Sequence, residues 1–335
     1  MRTVTFPTLH GYWSPITAAS RLKAGKPLGL VLDGVPVVAF RDEKGQARAL
    51  VDRCPHRSVK LSIGTMPGDG TIQCSFHGWR FGGDGVCRHI PLNPEAKLSA
   101  VRAQAMACEE REGLLWLYAG EAENAPPPVM PPPLGEGWFG SVVERDWPVH
   151  WSRGVQTALD VAHVPFVHPW SIGAAFGRAL GKMPNAQLGH KLEQRPDGGF
   201  HMDWWVETGP GVASPDVGWV AFHPPHAMSL GIPQKRPGRK SLLFIWVVPL
   251  SENTSRNIVV ARRNFGKFSL LPRIYDLLTP VILAEDRRNK ITCWPSEVPA
   301  GGEVSMPSDA PSIAFQRWYR GWVSERTSIK QVDRP

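Results

Sequence analysis

Apolar and polar positions alternate in short runs over the first third of the chain, at residues 28–32, 35–40 and 114–118, with Asp-Gly, Lys-Gly and Gly-Asp-Gly steps between them. Such punctuation predicts strands joined by tight hairpins. After residue 150 the pattern changes. Residues 151–168 read as a helix, aromatic-rich runs at 200–206, 218–222 and 242–248 alternate as strands, and 271–294 and 311–328 return to a helical period. An α+β chain is expected, with an all-β N-terminal module followed by a C-terminal domain of antiparallel sheet and helices. The segment AENAPPPVMPPPL has six prolines in thirteen residues and favours an extended linker. The expected organisation is therefore a domain at 1–121, a linker at 122–134 and a second domain at 135–335.

Composition narrows the function classes. With 42% hydrophobic and 20% charged residues, 335 residues suffice for two ordinary cores. The longest apolar run, 242–250, contains a proline and falls short of the roughly 20 residues a membrane helix needs, so no membrane span is expected. The first 30 residues lack a compact apolar stretch, and no secretory leader is expected. Five cysteines are an odd set for a disulfide scaffold, which points to a reducing cytoplasm. The net charge of +8 is spread over both halves without a basic arm. It fits an anionic substrate or an acidic protein partner better than nucleic acid, and no nucleic-acid partner is expected.

Two short prongs carry the first constellation: Cys54-Pro-His56-Arg57 and Cys74-Ser-Phe-His77-Gly-Trp79. Each offers one thiolate and one imidazole within a Gly/Pro-rich turn, which suits a [2Fe–2S] cluster held by two sulfurs on one iron and two imidazoles on the other. A structural zinc site is the alternative. Zinc fingers, however, pair cysteine with cysteine and place the histidines on a helix, which Pro55 and Gly78 disfavour.

At these residues, and through Arg57, Gly78-Trp79 and the Asp84-Gly85 turn, the chain resembles the Rieske family. The resemblance implies that Cys54 and Cys74 ligate one iron, and His56 and His77 the other. No further cysteine stands beside either prong, so it is to the oxygenase and ferredoxin branch rather than to the respiratory one. Cys87 and Cys108 read as small buried hydrophobes. A Rieske ferredoxin would end near residue 120, and the remaining residues need another task.

The segment 156–169 contains Asp160, His163 and His168, with Asp160 and His163 three apart on one helical face and Gln156 a turn earlier. His168 lies five residues beyond His163, and a break at Pro165 would let both imidazoles converge. Two histidines and one carboxylate form the facial triad of non-haem Fe(II) sites. The third ligand must come from a distant element. Ala284-Glu285-Asp286 supplies acidic candidates on a stripe with Ile282, Asn289 or Lys290, and Cys293, although a solvated acidic pair beside Arg287-Arg288 has the same spacing.

Together with Trp294-Pro295, that run resembles the C-terminal signature of Rieske oxygenase catalytic subunits, particularly N- and O-demethylases, with a helix-grip catalytic domain. The resemblance reaches from Gly11-Tyr-Trp13 to the final helix. It implies a mononuclear Fe(II) held by His163, His168 and Asp286, with O2 as co-substrate. Electrons would come from NAD(P)H through a separate flavin reductase or ferredoxin. It further implies a homotrimer in which Asp160 bridges His163 of one chain to His77 of the next. The implied reaction is hydroxylation or oxidative demethylation of an aromatic or heteroaromatic molecule, with arene dihydroxylation as the alternative. An electron carrier or redox sensor lacking the catalytic iron is the alternative of another class. Thr157 and Cys293 depart from the asparagine and glutamine common in relatives.

Eleven of the fourteen tryptophans follow residue 125. Trp205, Phe222, Trp246 and Cys293 are expected to line a cavity for a flat substrate. The Gly/Ala-rich stretch at 171–189 reads as a lid or a surface loop.

Overall fold

The computed structural model describes residues 4–126, 137–173, 186–209, 212–213, 217–234, 236–266 and 271–332. The chain divides into two compact units, Met1–Pro133 with Val248–Glu252, and Leu134–Val247 with Asn253–Pro335. Residues 127–134 of the expected linker and 174–185 of the expected lid lie outside the described residues.

The first unit is built from β1 (Trp13–Ala18), β2 (Leu28–Leu32), β3 (Val35–Arg41), β4 (Ala47–Val51), β5 (Ile72–Gln73), β6 (Arg80–Phe81), β7 (Cys87–His89), β8 (Ala105–Met106), β9 (Cys108–Arg111) and β10 (Leu114–Tyr118). They form three antiparallel sheets, ordered β1-β10-β9, β2-β3-β4-β8 and β5-β6-β7. The strands expected at 28–32, 35–40 and 114–118 are β2, β3 and β10. Asp33 and Gly34 both take positive φ between the paired Leu32 and Val35. That conformation is what a two-residue hairpin demands, and it explains the Asp-Gly step. Val38, Phe40, Leu50, Leu61, Ile72 and Phe81 form a core that also contains Cys54, Cys74 and Cys87.

The second unit comprises β11 (Phe139–Trp147), α1 (Trp151–Leu159), α2 (Val164–Val167), β12 (Gln187–Gln194), β13 (Phe200–Gly209), β14 (Val212–Ala213), β15 (Gly218–His223), β16 (Ala227–Ile232), β17 (Ser241–Ser251, of which 248–251 count with the first unit), β18 (Thr254–Arg263), α3 (Leu271–Lys290) and α4 (Ala310–Val332). Its eight-stranded antiparallel sheet runs β11-β18-β17-β16-β15-β13-β12, with β14 paired to β13. Trp151, Val155 and Leu159, four apart on α1, enter a core with Phe200, Met202, Val220, Phe222, Met228 and Val247. Phe315, Trp318, Tyr319 and Trp322 form the matching stripe of α4. Among the described residues, no helix is long and apolar enough to cross a membrane.

One glycine fixes how closely α1 approaches the sheet. A Cβ on Gly154 would lie 2.6 Å from Val247 Cγ1 and 3.2 Å from its Cγ2. Gly154→Ala is therefore expected to destabilise the protein by about 1–3 kcal/mol through overpacking. Denaturant unfolding checks this, and an unchanged midpoint would contradict it.

The helix expected over 151–168 is shorter than its pattern. Helix α1 stops at Leu159 and Asp160 caps it in an extended conformation. Asp160 and His163 therefore do not share a helical face. Pro165 opens α2, where its missing N–H costs nothing, and so does not break a helix between the histidines. Cys293 likewise falls off the expected helical stripe, because α3 ends at Lys290.

Candidate metal centres

The two prongs of the first unit fold as near-copies. In one, Cys54 N donates to Val59 O at 2.8 Å and Ser58 N to Cys54 O at 2.9 Å. In the other, Cys74 N donates to Trp79 O at 2.8 Å and Gly78 N to Cys74 O at 3.1 Å. Ser58 and Gly78, four residues after each cysteine, both adopt positive φ. The same backbone turn thus presents one sulfur inward and one imidazole toward the surface, twice.

The thiols of Cys54 and Cys74 are neighbours, both residues are 2% exposed, and neither is in a disulfide. Burial first, and the neighbouring Cys74 with it, push the Cys54 thiol up to about 11. Two adjacent thiolates there need a cation, which iron supplies. The rings of His56 and His77 lie 4.5 Å apart, and Trp79 stacks on His56 at 4.4 Å. Burial, His77 and Arg57 pull His56 below its ordinary range, and its buried Nδ1 has no hydrogen-bond partner. A neutral imidazole with an unsatisfied nitrogen suits a metal ligand. The four residues fit a Rieske cluster.

In the second unit, α2 is a single turn with His163 as N-cap and His168 as C-cap. A residue five positions on would rotate away along a straight helix. His168 instead leaves helical geometry, at φ −115° and ψ 46°, and the two rings meet with centroids 5.3 Å apart. Asp286 arrives from the last turns of α3. Its Oδ1 lies 3.2 Å from His163 Nε2 and 3.1 Å from His168 Nε2. One donor atom from each of the three lies within 4.8 Å of the others.

These distances would ordinarily mean hydrogen bonds, yet the buried Asp286 Oδ1 has no aligned partner. The three donor atoms gather close to one another without hydrogen-bond alignment at Asp286 Oδ1. Ligands at right angles around a first-row ion, with bonds of about 2.1 Å, stand about 3 Å apart. The two histidine-to-carboxylate spacings are those of adjacent corners of a coordination shell, and the donor set is the two-histidine, one-carboxylate set of non-haem iron sites.

The electrostatics agree with a cation site. Burial opposes charge on His163, but Asp160 and Asp286 outweigh it and push its pKa up to about 9. Burial likewise opposes the charge of Asp286, and both histidines outweigh it and hold the carboxyl below its usual range. Metal must therefore displace protons from the metal-free site. Its Fe2+ affinity is expected to fall about tenfold per pH unit below about 9 through the proton displaced from His163. The sign of the stability term is opposite. The raised His163 pKa stabilises metal-free protein fully below its ordinary 6.5, and this stabilisation is lost as pH rises through about 9. Chelator competition across pH checks the first statement, and an affinity independent of pH contradicts it.

Asp160 stands behind His163, with Oδ2 3.7 Å from Nδ1. That is an electrostatic contact, too long for a hydrogen bond. Its Oδ1 accepts from the His163 backbone N at 3.3 Å. Asp160 also lines a cavity of about 380 Å3 with Gln156, Lys290, Cys293 and Glu303. The almost fully buried Arg153 organises this region, donating to Pro295 O at 2.9 Å and to Glu303 Oε1 at 2.6 Å. No sequence signal pairs residues 150 apart.

The structure does not bring the four expected substrate-lining residues together on one face. Cross-strand register aligns Phe200, Phe222, Met228 and Ile245 on one sheet face. Phe222 is fully buried there against Phe315 and Trp318. Strand alternation sends Trp205 and Trp246 to the opposite face. Trp205 Nε1 donates to Glu207 Oε1 at 3.2 Å. It is Trp204 that shares the Phe222 face, while Cys293 lines the polar cavity beside Asp160.

Comparison with known proteins assigns a domain family to each half of the chain. Residues 12–104 match the Rieske [2Fe-2S] domain, and residues 147–325 match the vanillate O-demethylase oxygenase C-terminal domain. The chain belongs to the Rieske oxygenases, whose members pair a [2Fe–2S] cluster with mononuclear iron and use dioxygen. Within them, its catalytic half is of the vanillate O-demethylase kind. Methylxanthine N1-demethylase NdmA of Pseudomonas putida is 26% identical over 93% of this chain and 88% of its own length. Chlorophyllide a oxygenase of Chlamydomonas reinhardtii is 36% identical, but the match spans 48% of this chain and only 24% of that protein. In fold, dicamba monooxygenase superposes with a TM-score of 0.77 over 97% of this chain and 99% of its own, at 20% identity.

Proposed function

We propose that the chain is the terminal oxygenase of a multi-component system and removes an N- or O-methyl group from an aromatic or heteroaromatic molecule. Residues 1–121 would form the electron-accepting domain, 122–134 the linker and 135–335 the catalytic domain. The observation that carries this reading is the clustering of one donor atom each from His163, His168 and Asp286 within 4.8 Å in a chain that also carries the twin Cys/His turns. Demethylation is favoured because the matched catalytic domain and the relative NdmA are both named for it.

In this reading Cys54, Cys74, His56 and His77 hold the cluster, and His163, His168 and Asp286 hold Fe(II). Bound there, the metal groups supply electrons and dioxygen activation. Asp286 contributes the negative charge that offsets the cation, and the imidazoles act as neutral donors. The buried position of His168, 1% exposed, limits water on that side. Asp160 holds negative charge against His163 Nδ1 and is the group through which electrons arrive from a neighbouring copy's His77 in a homotrimer.

A separate NAD(P)H-dependent reductase, with flavin or ferredoxin, supplies two electrons per turnover. With two protons, one O2 yields the demethylated product, formaldehyde and water. A cytoplasmic location is part of this reading, supported by five cysteines without a disulfide between them.

The test is incubation with a reductase, NADH and a panel of N- and O-methylated aromatics. Formaldehyde in proportion to substrate consumed is expected. Formation of cis-dihydrodiols without formaldehyde would instead establish arene dihydroxylation.

A further inference from the structure

Helix α3 contributes two adjacent carboxylates, and both reach the same imidazole. Asp286 Oδ1 faces His168 Nε2 at 3.1 Å, while Glu285 Oε2 meets His168 Nδ1 at 2.7 Å. Neighbours on a helix project about 100° apart, so they diverge as they leave the backbone. They close on His168 because the ring stands between them, with one nitrogen turned to each. The two contacts also differ in kind. The Nε2 contact is not aligned as a hydrogen bond, whereas the Nδ1 contact is.

Glu285 is itself held in place. Ser171 Oγ donates to the same Oε2 at 3.0 Å, so one carboxylate oxygen accepts from two groups. His168 is 1% exposed and Glu285 24% exposed, which keeps water from competing effectively for Nδ1. A charge-assisted bond from Nδ1–H leaves the neutral tautomer with its lone pair on Nε2, the nitrogen that faces Asp286. His163 is treated differently. Its Nδ1 has no hydrogen-bond partner, and the nearest carboxylate, Asp160, stands 3.7 Å away.

From this asymmetry we infer that Glu285 is a positioning residue: it fixes the ring and tautomer of His168 so that Nε2 is the metal-binding atom. The Glu285-Asp286 pair then works as one device, with one carboxylate on each side of the same ligand. His163, lacking such a brace, remains free to respond to Asp160. The inference rests on the proposal that His163, His168 and Asp286 bind the mononuclear metal.

The test uses the full chain with its cluster in place and measures Co2+ affinity by chelator competition in wild type, Glu285→Ala and Glu285→Gln. Wild type is expected to bind one Co2+ outside the cluster. Glu285→Ala is expected to bind about 10–100-fold more weakly, the usual cost of losing such a partner. Glu285→Gln should fall between them, because its amide oxygen still accepts from Nδ1–H but carries no charge. An unchanged far-ultraviolet circular dichroism spectrum and unfolding midpoint mark correct folding. If wild type binds no Co2+ there, the metal-site proposal fails. If wild type binds and both variants stay within about twofold of it, the role of Glu285 is overturned.

A second measurement needs no variant. In Zn2+-loaded, 15N-histidine wild type, His168 should be metallated at Nε2 and show a slowly exchanging Nδ1 proton. Metal on Nδ1, or a freely exchanging proton there, would overturn the inference even if the variants fail to fold.

Discussion

Asp286→Ala is expected to remove one iron per chain and abolish turnover while the cluster's EPR signal persists. Its Oδ1 faces both Nε2 nitrogens, at 3.1 Å from His168 and 3.2 Å from His163. Without it, two neutral imidazoles remain, and a ferrous ion loses both a ligand and its charge compensation. Iron should fall from about three to about two per chain with sulfide unchanged at about two. Turnover should drop at least about 10^3-fold, or some 4 kcal/mol in barrier terms. The variant separates the two centres because Asp286 lies in the second unit and the cluster residues in the first. Retention of full iron content would show that Asp286 is not a ligand.

The second large effect is expected from Asp160→Asn. Its side chain keeps nearly the same shape and still accepts from the His163 backbone N, so the end of α1 and both metal sites should survive. What is lost is the negative charge beside His163 Nδ1, where the proposed path for electrons enters. Steady-state turnover should fall on the order of 10^2–10^3-fold, with iron, sulfide and the cluster spectrum unchanged. Wild-type turnover in this variant would remove Asp160 from the path. Iron loss would instead make it a structural support of the site.

The metal chemistry was legible in the sequence because ligand identity is written in residue type. Two Cys/His prongs and a D-x2-H-x4-H segment narrow the possibilities before any fold is known. Geometry was less legible. The periodicity of 151–168 continues through Asp160, yet that residue ends α1, and the histidines meet because a one-turn helix starts again between them. Local pattern does not carry such a break, which is set by packing of the helix end and by the cap of Asp160 on His163 N.

Glu285 was visible as an acid beside an acid. Its partner, His168, lies 117 positions away, so only the folded chain shows which nitrogen it faces. The aromatic residues misled for a related reason. Trp204 and Trp205 are equivalent by composition, and strand register alone decides that Trp204 shares the Phe222 face. Arg153 and Glu303 pair across 150 positions and have no local signature at all.

An oxygenase of this kind needs two different metal centres on one chain. Iron and acid-labile sulfide analysis of anaerobically purified protein tests this most directly. About three irons and two sulfides per chain are expected, the cluster supplying two irons and the His163–His168–Asp286 site the third. Two irons with two sulfides, unchanged after Fe2+ is supplied, would contradict it and leave an electron carrier in place of an oxygenase.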